Sequence, residues 1–357
     1  MAKEEKNKHK KTIISLVSLL LFFGLVMIAN ASLPEAQNKF QNQLFFLKKQ
    51  ITWLGLSFLV FVFIQKIPIN LVKKTAPLLY WITIFLLFLL LLPGFSEETL
   101  GAKRWLKIGP SSFQPAELAK LALILYLPQK LIKGPPQQSL MRLGTTILPI
   151  LFLVLLEPDM GTAAVICGLG LSIYFLSGAK LGQLAVITSL ISLLGLLLIF
   201  ISPYRQSRLK SLIDPNRDPT GQSYHAYQIT LGLGLGGLFG QGLGNSQQKQ
   251  YLPEITTDSL LAIAAEEFGF VGITIFLLVF LALISQIFRL AQKAPDLYSQ
   301  ISIAAYASLL AFQGLVNLGS IAIIIPLTGV PFPFVSYGGS SLLILLTGLG
   351  LMFNLSK

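Results

Sequence analysis

Residues 258–285 read DSLLAIAAEEFGFVGITIFLLVFLALIS. After the paired Glu266 and Glu267, the eighteen residues from Phe268 to Ser285 carry no charge, close to the length a helix needs to cross a hydrocarbon core. Carboxylates beside hydrocarbon are expensive and mark function by default. The run therefore raises two questions: how many such helices the chain holds, and what its acids do.

Nine further apolar runs occupy 12–31, 45–64, 76–93, 113–132, 143–157, 159–177, 181–202, 300–325 and 338–355. With 54% hydrophobic and 12% charged residues and a mean hydropathy of +0.72, the composition is that of an integral membrane protein. The ten runs predict an all-α polytopic bundle of about ten transmembrane helices, with 1–357 as a single transmembrane domain. The run at 143–157 is short and joins the next through EPDMGT, which leaves a re-entrant hairpin open there. A basic start, an apolar run and Ala29-Asn30-Ala31 also have the form of a cleavable signal peptide; we read the first segment as a retained helix.

Charge sets the orientation. With the N-terminus inside, fifteen Lys and Arg face the cytoplasm against Glu4, Glu5 and Asp296, an excess equal to the whole net charge of +12. The basic tail 1–11 belongs to this set. Positive-inside topology thus accounts for the basic balance without a nucleic-acid partner, and an even helix count puts both termini in the cytoplasm. Cys167 lies in an apolar run, and with His9 and His225 it makes neither a disulfide framework nor a zinc site.

Two outer segments are long, 94–112 and 203–257. Loops of such length are usually functional, and the second is expected to fold back over the outer mouth of the bundle. It contains GLGLGGLFGQGLG, a formal G-x-G-x-x-G at Gly232, Gly234 and Gly237. No strand–turn–helix context surrounds it, so nucleotide binding is rejected in favour of close backbone approach or an entry strip at the membrane surface.

Candidate chemistry lies where ionisable groups meet the bundle. In FQPAELAK, Gln114, Glu117 and Lys120 recur every third residue on one helix face, and Glu117 can pair with Lys120. Glu157 and Asp159 in EPDMGT can end one helix and cap the next, or face a polar cavity. Asp258 can be a helix cap, yet Glu254, Asp258, Glu266 and Glu267 sit at graded depths, which points to a polar path. Outer cations, Lys103, Arg104, Lys107, Arg205, Arg208, Lys210, Arg217 and Lys249, are suited to pyrophosphate. The uncharged IPLTGVPFPFVSYGGSSLL, 325–343, with Ser336 and Ser340, reads as a rigid floor.

GAKRWLKIGPSSFQPAELAK, EPDMGTA, GLGNSQQKQYLPE, TDSLLAIAAEEFGFVG and PLTGVPFPFVSYGGSSLL, in this order over nearly the whole chain, resemble the SEDS family, the FtsW and RodA proteins of bacterial cell-wall synthesis. The resemblance implies a ten-helix peptidoglycan glycosyltransferase of the bacterial cytoplasmic membrane. Such an enzyme polymerises lipid II, an undecaprenyl-pyrophosphate-linked disaccharide pentapeptide, into β-1,4 glycan strands at the outer face. The family's key aspartate maps to Asp258, although Thr256 stands where histidine is usual and Ser259 where phenylalanine is usual. Arg104, Lys120, Arg205, Arg208 and Lys249 become candidates for the pyrophosphate, with Gln114, Glu117, Glu157, Asp159, Glu254, Glu267, Ser336 and Ser340 in support. The resemblance implies a class B penicillin-binding protein as transpeptidase partner and no organic cofactor, and leaves dependence on a divalent cation open. EPD in place of QPD leans toward the FtsW branch. A lipid II flippase, using Glu117, Lys120, Glu157 and Asp159 as a path, is the competing function.

Overall fold

The computed structural model of the chain describes residues 2–99, 102–109, 111–133, 138–201, 203–214, 216, 218–221 and 223–357. Ten helices coincide with the ten apolar runs: α1 (Ala2–Ala31), α3 (Phe45–Ile64), α4 (Ile69–Leu91), α5 (Pro115–Ile132), α6 (Ser139–Leu156), α7 (Met160–Leu176), α8 (Leu181–Ile201), α11 (Leu260–Gln292), α12 (Leu297–Ile321) and α13 (Gly339–Leu355). Three shorter ones lie between them, α2 (Leu33–Phe40), α9 (Pro203–Ile213) and α10 (Tyr224–Gly236). Among the described residues, six helices (in α1, α3, α4, α6, α11 and α12) are long and apolar enough to cross a membrane, and stretches of α7, α8 and α13 are apolar but shorter.

The helix ends follow local chemistry. Pro115 occupies the first turn of α5, where its missing N–H is no loss. Asp159 caps α7 by accepting from Thr162 N, and Asp296 caps α12 by accepting from Ser299 N. Helices α5 and α12 form the centre, buried along most of their length, with α4, α7 and α13 around them and α1 against α11. The outer faces of α3, α4 and α8 expose Phe58, Trp81, Phe85 and Leu193, as a lipid-facing surface does.

The all-α expectation needs one correction. Three strands, β1 (Ser96–Thr99), β2 (Ala102–Ile108) and β3 (Ser111–Phe113), form an antiparallel sheet in that order. Trp105 pairs with Glu97, and Leu106 with Phe113. Pairing satisfies the backbone of a segment that would otherwise hang over the bundle unbonded. The sheet packs on α4 and α5 and so holds Arg104 above the start of α5.

Within the 203–257 segment, α10 and the glycine-rich strip fold against α11. Helix α11 breaks at Gly269, with φ 65° and ψ −170°, and the glycine-rich strip takes up the freed backbone groups. Phe270 N donates to Gly237 O at 2.9 Å and Val271 N to Leu238 O at 3.0 Å; Gln241 N and Gly242 N donate to Glu266 O and Glu267 O. Irregular backbone at this depth survives only when its polar groups are paired within protein. Gly240, at φ 80°, lies so close that a Cβ there would sit 2.1 Å from Glu267 O. Gly236 and Gly240 therefore serve close backbone approach, whereas Gly234 and Gly237 have open space around them.

Candidate active site

At one end of the bundle a cavity opens between β2, α9, α10 and two loops. Its lining includes Arg104, Gln114, Asp159, Arg208, Glu254 and Asp258, with Trp105, His225, Thr257 and Tyr337 completing the wall.

Asp258 ends a series of turns just before α11. The N-cap of α11 is Ser259, and Asp258 leaves its carboxylate free of that duty. The cap reading of Asp258 is thus corrected: the helix begins two residues later. Neighbours fix Asp258 and the residues on either side of it from three directions. Asn317 Nδ2 donates to Asp258 O at 3.0 Å and to Val330 O at 2.8 Å; Tyr337 N donates to Thr256 O at 2.8 Å; His225 Nε2 lies 2.7 Å from Ser259 Oγ. The side chain is half-buried, and Thr257 Oγ1 donates to Oδ1 at 3.3 Å. Burial, then the negative charge of Glu254, push the Asp258 carboxyl up to about 6, against the opposing pull of Thr257 and Arg208. A carboxylate so tuned is a competent base near neutral pH.

Two arginines face it across the cavity. Arg104 Nη2 donates to Pro158 O at 2.6 Å, and its Nε lies 3.7 Å from Asp159 Oδ2. Asp159 is itself held by Thr162 N at 3.0 Å, Thr162 Oγ1 at 2.9 Å and Gln114 Nε2 at 3.4 Å. Both readings of Asp159 therefore hold, as cap of α7 and as part of the cavity wall. Arg208, on α9, donates through Nη1 to Leu327 O. His225 beside it is kept neutral: burial and the Arg208 charge lower its pKa to about 4.

The other candidates fall elsewhere. The Lys120 Nζ is buried below the cavity, 2.7 Å from Glu117 Oε1 and 3.0 Å from Gln313 Oε1. Gln313 in turn donates to Pro331 O, on the cavity floor, at 3.0 Å. Lys249 turns away from the cavity to Gly244 O at 2.5 Å. Glu157 is buried, with neither oxygen hydrogen-bonded among the described residues. Ser336 Oγ accepts from Phe332 N at 3.0 Å and Ser340 Oγ from Gln114 N at 3.2 Å, which stiffens the floor. The side chains of Lys103 and Arg205, and the whole of Arg217, lie outside the described residues.

The graded acidic path is overturned. Glu266 accepts from Ser246 Oγ at 2.5 Å and Gln247 N at 2.8 Å, and Glu267 binds Asn30 Nδ2 at 2.7 Å. Both anchor the 240–250 loop and α1, since a carboxylate buried there is stable only when fully hydrogen-bonded. His225, Thr257, Asn317 and Gln313 were missed. His225 is one of two histidines in the chain, and its rarity was the one available signal. Among the described residues no three His, Cys, Asp or Glu side chains cluster as metal ligands.

Comparison with known proteins places this geometry. Stage V sporulation protein E of Bacillus subtilis (strain 168) is 37% identical over 360 residues, covering 99% of this chain and 98% of the relative. The probable peptidoglycan glycosyltransferase FtsW of Geobacter sp. (strain M18) is 36% identical, covering 96% and 95%. Among solved structures, a chain from a peptidoglycan synthase complex superposes with a TM-score of 0.81 at 30% identity, over 96% of both chains. The rod shape determining protein RodA of Thermus thermophilus superposes with a TM-score of 0.72 at 30% identity, over 96% of this chain and 95% of that one. A family model described as cell cycle protein, for FtsW, RodA and SpoVE, matches residues 10–357, and the chain belongs to that family.

Proposed function

We propose that the chain is a peptidoglycan glycosyltransferase that joins lipid-linked disaccharides, with Asp258 as general base. The observation that carries this reading is the Asp258 carboxylate itself: unspent on the helix cap, raised to about 6, and set in a cavity opposite Arg104 and Arg208. Asp258 takes the proton of an acceptor sugar hydroxyl as its oxygen bonds to the anomeric carbon of the donor. The bond from that carbon to the pyrophosphate breaks, with inversion from α to β. Arg208 and Arg104 stabilise the charge that gathers on the leaving pyrophosphate, using donors fixed in place before reaction.

Ten helices crossing the bacterial cytoplasmic membrane, with both termini inside and residues 203–257 outside, fit this chemistry. In that arrangement the cavity would lie at the outer face, where lipid II presents its head group, and a class B penicillin-binding protein would cross-link the product. The lipid-transport reading needs an open polar path. Glu117 and Lys120 instead close on each other and on Gln313, while Asp159 is held by Thr162 and Gln114.

The test is polymerisation of purified lipid II by wild type and by Asp258→Asn, each with a cognate transpeptidase. Glycan strands from wild type alone support the base. Equal product from both removes Asp258 from the chemistry, and lipid II translocation without polymer favours the transporter.

A further inference from the structure

The opposite end of the bundle carries a second constellation. Lys10 Nζ reaches Phe353 O at 3.0 Å and Lys293 reaches Glu5 at 2.5 Å, so this end gathers both ends of the chain. Helix α5, eighteen residues long, separates it from Gln114 and the Asp258 cavity by about 27 Å.

Two pockets adjoin here and share Gln129 and Lys133. One is lined by Lys73, Lys74, Ile132 and Tyr298, the other by Pro77, Tyr126, Lys130 and Arg142. Each places a cation over an aromatic ring: Lys73 Nζ lies 4.9 Å from the Tyr298 centroid and Lys130 Nζ 5.3 Å from that of Tyr126. Gln129 Nε2 donates to Lys73 O at 2.8 Å and braces the partition between them. Asp296, 3.1 Å from Lys73, is the one carboxylate paired with these cations among the described residues. Arg142 Nη2 donates to Gln138 at 3.1 Å, while its Nη1 is buried without a hydrogen-bond partner among the described residues. An unpartnered buried guanidinium nitrogen calls for an acceptor, and the two cationic pockets call for two anionic groups.

The flanks identify what carries those groups. Beside the pockets α4 exposes Leu78, Trp81 and Phe85, and α6 exposes Met141, Leu148 and Phe152, apolar stripes that lead away from the cations along both helices. Cationic pockets above apolar stripes match an anionic head on hydrocarbon chains. We propose that the paired pockets bind a phospholipid bearing two phosphate groups, of the diphosphatidylglycerol type. One phosphate meets Lys74 and Lys133, the other meets Lys130 and Arg142, and the acyl chains lie on α4 and α6. The proposal stands apart from the sugar chemistry at the other end.

The test is native mass spectrometry of the detergent-purified full chain. It is titrated with diphosphatidylglycerol, phosphatidylglycerol or phosphatidylethanolamine. Wild type is expected to retain one diphosphatidylglycerol at about tenfold lower lipid concentration than phosphatidylglycerol. Lys130→Gln/Lys133→Gln/Arg142→Gln is expected to erase that preference, while Lys48→Gln/Lys49→Gln at the far end keeps it. Lipid-free melting temperatures check folding. If the triple variant melts early, Lys133→Gln and Arg142→Gln singly carry the test, each expected to lower the preference about two- to threefold. Equal retention of both anionic lipids overturns the proposal, as does a preference that survives the substitutions. Displacement by an equal amount of undecaprenyl diphosphate also overturns it and assigns the pockets to a prenyl diphosphate.

Discussion

His225 Nε2 lies 2.7 Å from Ser259 Oγ, which ties α10 to the residue that follows Asp258. Position 256 holds threonine here, and this contact beside Asp258 comes from α10. Loss of one such bond is worth about 0.5–1.5 kcal/mol, or roughly two- to thirteenfold in rate. His225→Ala and Ser259→Ala should each lower polymerisation kcat by that amount. The double variant should be no slower than either single, as for two ends of one contact. Additive losses would show that His225 acts on substrate directly.

In its proposed role, Asp258 gives the reaction its acid limb. With its carboxyl at about 6, kcat/KM should fall below that pH as the base becomes protonated. The Glu254 charge helps hold the value up, so Glu254→Gln should move the limb to lower pH. A limb that stays in place would remove Glu254 from the tuning.

The same shift predicts a stability effect of opposite sense. The folded protein binds the Asp258 proton more tightly than the unfolded chain, whose carboxyl lies near the ordinary 3.8. The contribution is therefore most favourable below about pH 4, falls as pH rises to about 6, and is a penalty above. Asp258→Asn should raise stability at pH 7.5 by on the order of 2 kcal/mol while abolishing polymerisation. The gain should vanish below pH 4. Thermal melts in detergent at the two pH values decide it.

Glu117 and Lys120, 2.7 Å apart in the bundle core, form a pair whose halves cannot stand alone. Breaking a buried pair from one side costs about 3–5 kcal/mol, whereas replacing both members is near neutral. Glu117→Gln and Lys120→Met should each melt well below wild type, and the double variant should recover most of the loss. Its activity then reports what the Gln313 contact to Pro331 O contributes to the cavity floor.

Gly240→Ala forces a Cβ against Glu267 O at a positive φ. It should destabilise the 236–244 strip by about 2–3 kcal/mol, read as faster protease cleavage there with α12 still protected.

What the sequence disclosed follows the range of the interactions. Helices announce themselves through local apolar runs, so Phe45–Ile64 was bounded to the residue and α11 to within two at its start. The sheet escaped because its strands are three to seven residues long and pair across turns. Asp258 was legible from its motif, but its pinning by Asn317, Tyr337 and His225 was not, since those partners lie 34 to 81 positions away in the chain. Glu266 and Glu267 misled for the same reason: their depth is local information, whereas the loop and Asn30 that bind them return from elsewhere.

The break at Gly269 makes α11 two rods on one joint. The short rod, Leu260–Phe268, carries Asp258 at its tip and is laced to the glycine strip; the long rod lies beyond. The strip that binds the short rod belongs to the same 203–257 segment as Arg208 and His225, so one stretch of chain both lines the cavity and steadies the helix that follows Asp258.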